Sequence, residues 1–313
     1  MGDSVARVSG VIVPMVTPFR EDYSLDLEAA SWLAKYLSNT GVSAIFPNST
    51  TGEFPHLTME EAVELVKAVI DSVPSSRIVM PGISANTTLH SIELAKRFRD
   101  LGVEYVISTT PYYFKPSPQS LYRHFAEIAS RVDVNVVLYC IPSTTGVLIP
   151  PNVVRELAIE FSNIVGIKIT HDSMSYVRRV LDEVKGVRKD FSVLLGIDTL
   201  LLHGLMEGCD GGVVGLANVA PWIHLDVVRK WFEGDLRGAL ESHRKLCKLY
   251  RVYSVDKPVP SVVKAALEAL GTPVRRVVRP PLDPVSDTEM NFIRRLLKEL
   301  NIVDEAKKFM PST

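Results

Sequence analysis

Lys168 stands near the C-terminal end of an apolar, β-branched run, Asn163-Ile164-Val165-Gly166-Ile167-Lys168-Ile169-Thr170. Such a run reads as a fully buried strand of a parallel sheet. An ammonium buried there costs several kcal/mol or is driven towards its neutral form. A neutral amine is a nucleophile for carbonyl carbons, so the residue type and its setting point to imine chemistry. Alternation puts Ile164, Gly166 and Lys168 on one face, where the glycine is expected to leave room. The bland alternative is a rim lysine whose stem packs on isoleucine while its head reaches water.

Two further stretches could serve that amine. Asn135, Val137 and Tyr139 share a face of the preceding strand, and a phenol at its end could move the protons that carbinolamine formation and C–C cleavage require. A core tyrosine with its hydroxyl at the rim is the ordinary reading of the same residue. Ser49-Thr50-Thr51-Gly52-Glu53 sets consecutive hydroxyls on a tight turn, a pattern able to hold a carboxylate through side-chain and backbone donors. Ser, Thr and Gly are also the common currency of plain loops. His56, His90, His124, His171, His203, His224 and His243 show no metal-ligand pairing on a helix face, and surface or capping roles are expected for them. Most carboxylates read as solvated helix charges.

The elements that must position these groups recur with a regular rhythm. Strands are predicted at 10–16, 43–47, 77–82, 104–108, 134–140, 163–170, 191–196 and 211–215. Helices are predicted between them, near 25–37, from Thr58 with Glu61 as a capping box, from Asn86 or Thr87 to 101, up to 131, and at 151–161, 175–185 and 200–207. Eight strand–helix units in about 230 residues predict a (β/α)8 TIM barrel, with chemistry where strands end and the following loops begin. An open doubly wound sheet is the alternative, but the first strand–helix turn lacks the Gly-x-Gly-x-x-Gly phosphate loop. After Asn218 the pattern is helical only, at 221–234, 236–252, 261–270 and 287–300. The expected organisation is a catalytic barrel over 1–234 and a helical C-terminal extension over 235–313 packed on it.

Composition narrows the function classes. The chain has 313 residues, 46% hydrophobic and 23% charged, with a net charge of −1. That balance gives no electrostatic reason to expect nucleic acid or an anionic membrane. No uncharged apolar run reaches the length of about 18 residues needed for a membrane span. The N-terminus lacks a basic stretch followed by an apolar core, so no signal peptide is expected, and Gly2 is followed by Ala6 where a myristoylation site would have Ser or Thr. Cys140, Cys209 and Cys247 fit neither a disulfide framework nor a zinc site, and a reducing cytoplasm is the expected location. Gln119 is the single glutamine, a weak lean towards a thermophilic source.

Taken together these stretches resemble the dihydrodipicolinate synthase / N-acetylneuraminate lyase superfamily of Schiff-base aldolases, from about Gly10 to Leu282. The markers are Thr17-Pro18-Phe19, Ser49-Thr50-Thr51-Gly52-Glu53, Thr110-Pro111-Tyr112-Tyr113, Tyr139-Cys140-Ile141-Pro142, Gly166-Ile167-Lys168, Gly196-Ile197-Asp198 and Arg279-Pro280-Pro281-Leu282. The resemblance implies that Lys168 forms an imine with C2 of pyruvate or another 2-oxo acid. It implies that Tyr139 shuttles protons and that Thr50 and Thr51 grip the substrate carboxylate. By the same resemblance Tyr113 reaches a neighbouring subunit's site to complete a Tyr–Thr–Tyr relay through Thr51, and Gly196 and Val214 line the imine pocket. A homotetramer built as a dimer of dimers is implied, with small-molecule 2-oxo acid and aldehyde as partners and no metal or organic cofactor.

One departure bears on the substrate. In dihydrodipicolinate synthases an arginine that binds the carboxylate of aspartate semialdehyde usually follows the tyrosine motif; here that position is Thr144. A hydroxyl cannot give the bidentate charged grip of a guanidinium. It suits a polyhydroxylated aldehyde, so the expected activity is a 2-keto-3-deoxy sugar-acid aldolase making pyruvate and a glyceraldehyde-type product. Dihydrodipicolinate synthase is the rival, with Lys115 as the substitute cation, followed by a keto-deoxy sugar-acid dehydratase. A non-catalytic binding relative would have no need of the combination Lys168, Tyr139, Thr50 and Thr51.

Overall fold

The computed structural model describes residues 7–311. The stretch on which the readings of the N-terminus and of Gly2 rest lies outside the described residues, as do the last two residues of the C-terminal extension. Contacts divide the described residues into two compact units: Met80–Val213 with residues 7–10, and Val11–Val79 with residues 214–311.

The described residues form eight strands: β1 Gly10–Pro14, β2 Ala44–Phe46, β3 Ile78–Val79, β4 Tyr105–Thr109, β5 Asn135–Cys140, β6 Ile164–Ile169, β7 Ser192–Leu195 and β8 Gly211–Val213. They belong to one sheet in the order β3-β2-β1-β8-β7-β6-β5-β4. The pairings are parallel, as in Ile12↔Ala44, Thr109↔Tyr139, Tyr139↔Lys168 and Lys168↔Leu194. With a helix after each strand this is the (β/α)8 barrel class, carrying C-terminal helices at Leu236–Leu249, Val259–Ala269, Asp287–Glu299 and Ile302–Lys307.

Local chemistry sets the element ends. Thr58 accepts from the Glu61 N–H while the Glu61 carboxylate accepts from the Thr58 N–H, so the expected capping box is complete. Thr87, rather than Asn86, caps the helix Thr88–Asp100. The third strand is shorter than expected because Pro81 has no N–H to give the ladder. Pairing resumes at Gly82, which bridges Ile107 in parallel. Two short helices escaped the periodicity. Pro142–Thr145 is a single turn with Pro at its start and Gly146 at φ 69 closing it; Ile302–Lys307 follows Asn301 at φ 56.

Candidate active site

The strand ends of β4, β5, β6 and β7 carry the residues with reactive groups in the unit Met80–Val213. Tyr139 and Lys168 are register partners in parallel strands, so their side chains leave the same face side by side. Lys168 is 3% exposed. Its Nζ lies 3.9 Å from the centre of the Tyr139 ring and is hydrogen-bonded to the phenol. Burial pushes the ammonium below its ordinary range, and the phenol and the Asp198 carboxylate oppose that push. Asp198, itself buried, heads the turn that follows β7. Thr170 donates from Oγ1 to the Tyr139 hydroxyl at 3.5 Å.

Both glycines near the lysine are required, for different reasons. A Cβ on Gly196 would overlap Thr170 Oγ1 and come within 3.1 Å of Lys168 Cε, so this glycine makes the space that the Thr170 side chain fills and that the lysine stem borders. Gly166 does not provide room, contrary to expectation. A Cβ there would meet the Ser192 carbonyl oxygen at 2.7 Å, so it serves the close approach of β6 to β7.

Two other expected residues of this unit sit on its surface. Tyr113 is 87% exposed, at φ 80, with its ring edge-on to the exposed Phe114. Thr144 is exposed in the Pro142–Thr145 turn, and its hydroxyl donates to the Ile141 carbonyl at 3.3 Å. The Lys115 stem passes 3.4 Å from where a Cβ of Gly146 would be, which lays it over the end of that turn.

The hydroxyl turn belongs to the unit built from Val11–Val79 and the chain after Val214. It is pinned from both sides. Ser49 Oγ donates to the Met15 carbonyl at 3.2 Å and accepts from the Gly52 N–H at 2.9 Å. Thr17 Oγ1 donates to the Gly52 carbonyl at 2.6 Å. A Cβ on Gly52 would sit 2.7 Å from the Met15 carbonyl oxygen, so only glycine fits. Thr51 is buried, and the buried Thr50 Oγ1 has no partner among the described residues. Val214 is fully buried, its N–H on the Ile12 carbonyl at 3.2 Å.

Glu53 ends the turn in a left-handed conformation at φ 58. Its carboxylate accepts from Lys264 Nζ at 2.5 Å and from the Arg279 N–H at 3.0 Å, with His56 Nδ1 at 3.3 Å. Lys264 also donates to the Val277 carbonyl and stands 4.2 Å from the centre of the Phe19 ring. The Arg279 guanidinium pairs with Glu61 and donates to the carbonyls of Tyr23 and His56. Sequence reasoning missed this network. The available signal was a lone lysine in the apolar helical run Val262-Val263-Lys264-Ala265-Ala266-Leu267, the same oddity that singled out Lys168.

The histidines also need correction: His124, His224 and His243 are buried rather than superficial. Each found a local partner that made burial affordable: Thr88 Oγ1 at 2.9 Å from His124 Nδ1, the Ala220 carbonyl at 3.1 Å from His224 Nδ1, and Cys247 Sγ at 3.5 Å from His243 Nε2. Among the described residues no three His, Cys, Asp or Glu side chains stand together as a metal site. The three cysteines are free, and no helix among the described residues is long and apolar enough to cross a membrane.

A parallel (β/α)8 chain with a desolvated lysine and a tyrosine side by side at strand ends has the layout of an enzyme acting on carbonyl compounds. The chain belongs to the dihydrodipicolinate synthetase family, whose model matches residues 7–300, and it is a lyase of the aldolase kind. It is 48% identical to an uncharacterized DapA-like lyase of Thermofilum pendens, over 95% of this chain and 99% of the other. It is 33% identical to YagE of Escherichia coli, named a putative 2-dehydro-3-deoxy-D-gluconate aldolase, over 95% of this chain and 98% of that one. The crystal structure of YagE with pyruvate superposes with a TM-score of 0.91 over 94% of this chain and 99% of the other. Dihydrodipicolinate synthase of Thermotoga maritima gives a TM-score of 0.90 at 34% identity, over 95% of this chain and 99% of that one.

Proposed function

We propose that the protein is a pyruvate-dependent aldolase that cleaves and forms a 2-keto-3-deoxy sugar acid through an imine on Lys168. The observation that carries this reading is the buried Lys168 Nζ, 3.9 Å from the Tyr139 ring centre and bonded to its hydroxyl. Neutral Nζ adds to the C2 carbonyl, and loss of water gives the imine. In cleavage the Tyr139 hydroxyl first gives its proton to the imine nitrogen beside it; the C4 hydroxyl then gives its proton to the resulting phenolate, the C3–C4 bond breaks, and its electron pair enters the protonated imine as an enamine. The aldehyde leaves, C3 takes a proton, and water releases pyruvate and the free amine. The imine is the electron sink, so the proposed reaction calls on no metal or organic cofactor.

Thr50 and Thr51 are the proposed carboxylate donors; the partnerless Thr50 hydroxyl supports this. Gly196 and Val214 are the proposed lining of the imine pocket, and the Lys168 stem beside Gly196 supports the former. The exposed, left-handed Tyr113 is proposed to complete a partner subunit's relay within a dimer of dimers. A cytoplasmic location accords with three free thiols.

Thr144 favours a hydroxylated aldehyde over aspartate semialdehyde, since it offers a neutral hydroxyl where a cation would be wanted. A second reading, dihydrodipicolinate synthase, is favoured by Lys115, whose stem lies over the turn that carries Thr144. Two measurements decide. Borohydride with pyruvate should fix an adduct on a peptide containing Lys168; an adduct on another lysine, or none, defeats the mechanism. Condensation of pyruvate with glyceraldehyde should outrun that with aspartate semialdehyde, and the reverse preference would establish the rival.

A further inference from the structure

Thr109 is the last residue of β4 and the register partner of Tyr139, which in turn is the register partner of Lys168. In a parallel ladder such partners point to one face with backbones about 4.8 Å apart. Tyr139 is therefore flanked by Lys168 on one side and Thr109 on the other. Thr109 is 2% exposed, and its Oγ1 has no hydrogen-bond partner among the described residues. Its backbone is held independently, the N–H donating to Ser84 Oγ at 3.0 Å. The neighbouring Ser108, by contrast, uses its hydroxyl on the Thr109 carbonyl.

A buried hydroxyl without a partner costs about 1–3 kcal/mol, and valine would fill the same volume on a β-strand without that cost. A threonine here needs a use that the folded chain alone does not supply. Its face gives one, because it opens on the same row as the amine and the phenol. A neutral hydroxyl both donates and accepts, so it can pair with another hydroxyl in either direction.

We propose that Thr109 is a specificity-determining residue whose hydroxyl hydrogen-bonds a hydroxyl on the aldehyde half of the substrate; this rests on the aldolase reading above. The test compares the parent enzyme with Thr109→Val and Thr109→Ser. Three quantities are read: the pyruvate concentration for half-maximal borohydride trapping, and kcat/KM for condensation with glyceraldehyde and with propanal, which has no hydroxyl. Thr109→Val should lower the glyceraldehyde-to-propanal ratio of kcat/KM about 10-fold or more, and Thr109→Ser should recover most of it. Equal losses on both aldehydes, a matching rise in the pyruvate half-saturation, or a parent-like ratio would each overturn the assignment. Thermal unfolding checks that the valine variant is folded, its midpoint expected at or above that of the parent. A parent enzyme that traps no pyruvate on Lys168 overturns the aldolase reading and this one together. A parent that traps and condenses normally beside an indifferent Thr109→Val overturns the Thr109 role alone.

Discussion

The Lys264 ammonium and the Glu53 carboxylate meet at 2.5 Å with neither side chain reaching solvent. Burial pushes the lysine down to about 8, against the opposing pull of Glu53. A buried pair adds little over an apolar pair of the same shape, but removing one partner strands the other. Lys264→Met should therefore lower unfolding free energy by about 3–5 kcal/mol in a urea titration, and Glu53→Gln by less, because an amide keeps hydrogen-bonding capacity. The double variant should recover a large part of the Lys264→Met loss. Strictly additive losses would show that the two groups do not act as a pair. Because Glu53 closes the turn that carries the proposed carboxylate donors Thr50 and Thr51, that proposal predicts that the single Lys264 variant binds pyruvate more weakly while still forming the Lys168 adduct at saturation.

Lys168 predicts the pH dependence of imine formation. Its ammonium is held below the usual lysine value of 10.5 by burial, with Tyr139 and Asp198 acting in the opposite sense. Only the neutral amine attacks C2, so the trapping rate should climb with pH and level off below 10.5. Removing the Asp198 charge removes one of the forces that raise the value. Asp198→Asn should then shift the acid limb to lower pH, measured as the rate of cyanoborohydride trapping with pyruvate. A shift to higher pH would mean that Asp198 lowers the amine's basicity by some other route.

His124 predicts an acid-sensitive stability. Burial pushes its imidazolium down to about 4 from 6.5, so between those values the unfolded chain binds the proton and the folded chain does not. By linkage stability falls as pH drops from 6.5 to 4, and the loss levels off below 4 at about 3 kcal/mol. His124→Asn, which keeps a partner for Thr88, should remove this slope from the difference between variant and parent urea titrations. A slope that persists in the variant assigns the acid sensitivity to other groups.

Much of this was legible before the structure because two signals are strong in any sequence. Parallel strands buried on both faces write unbroken β-branched runs, and Lys168 stands out as a charge within one. Alternation gave Tyr139 and Lys168 each a face of its own strand, the expected adjacency of the two strands in a barrel allowed them to meet, and the observed register pairs them. What stayed hidden depends on contacts far apart in the chain. Nothing near Glu53 announces Lys264, 211 positions away. The role of Gly166 was misread because a glycine in a strand marks either space or close approach, and only Ser192 on the next strand decides which. The buried histidines were missed for a different reason: a single hydroxyl, carbonyl or thiol within one helical turn or on a neighbouring helix suffices to hold a neutral imidazole, and no sequence pattern marks it.

Tyr139 offers the sharpest division between packing and chemistry. Its ring faces Lys168 Nζ at 3.9 Å, while its hydroxyl bonds the same nitrogen and accepts from Thr170 Oγ1. Tyr139→Phe keeps the ring, and with it the packing and the cation–π contact, and deletes only the hydroxyl proposed to move protons. Adduct formation on Lys168 should therefore survive at saturating pyruvate. Turnover in the cleavage direction should fall by about 10²-fold or more, because deprotonation of the C4 hydroxyl loses its base. The same substitution removes an influence that raises the Lys168 value, so the acid limb of trapping should move to lower pH. Parent-like turnover would mean that the C4 proton leaves by another group. A lost adduct would mean instead that the phenol is needed before the C–C bond breaks, at the carbinolamine.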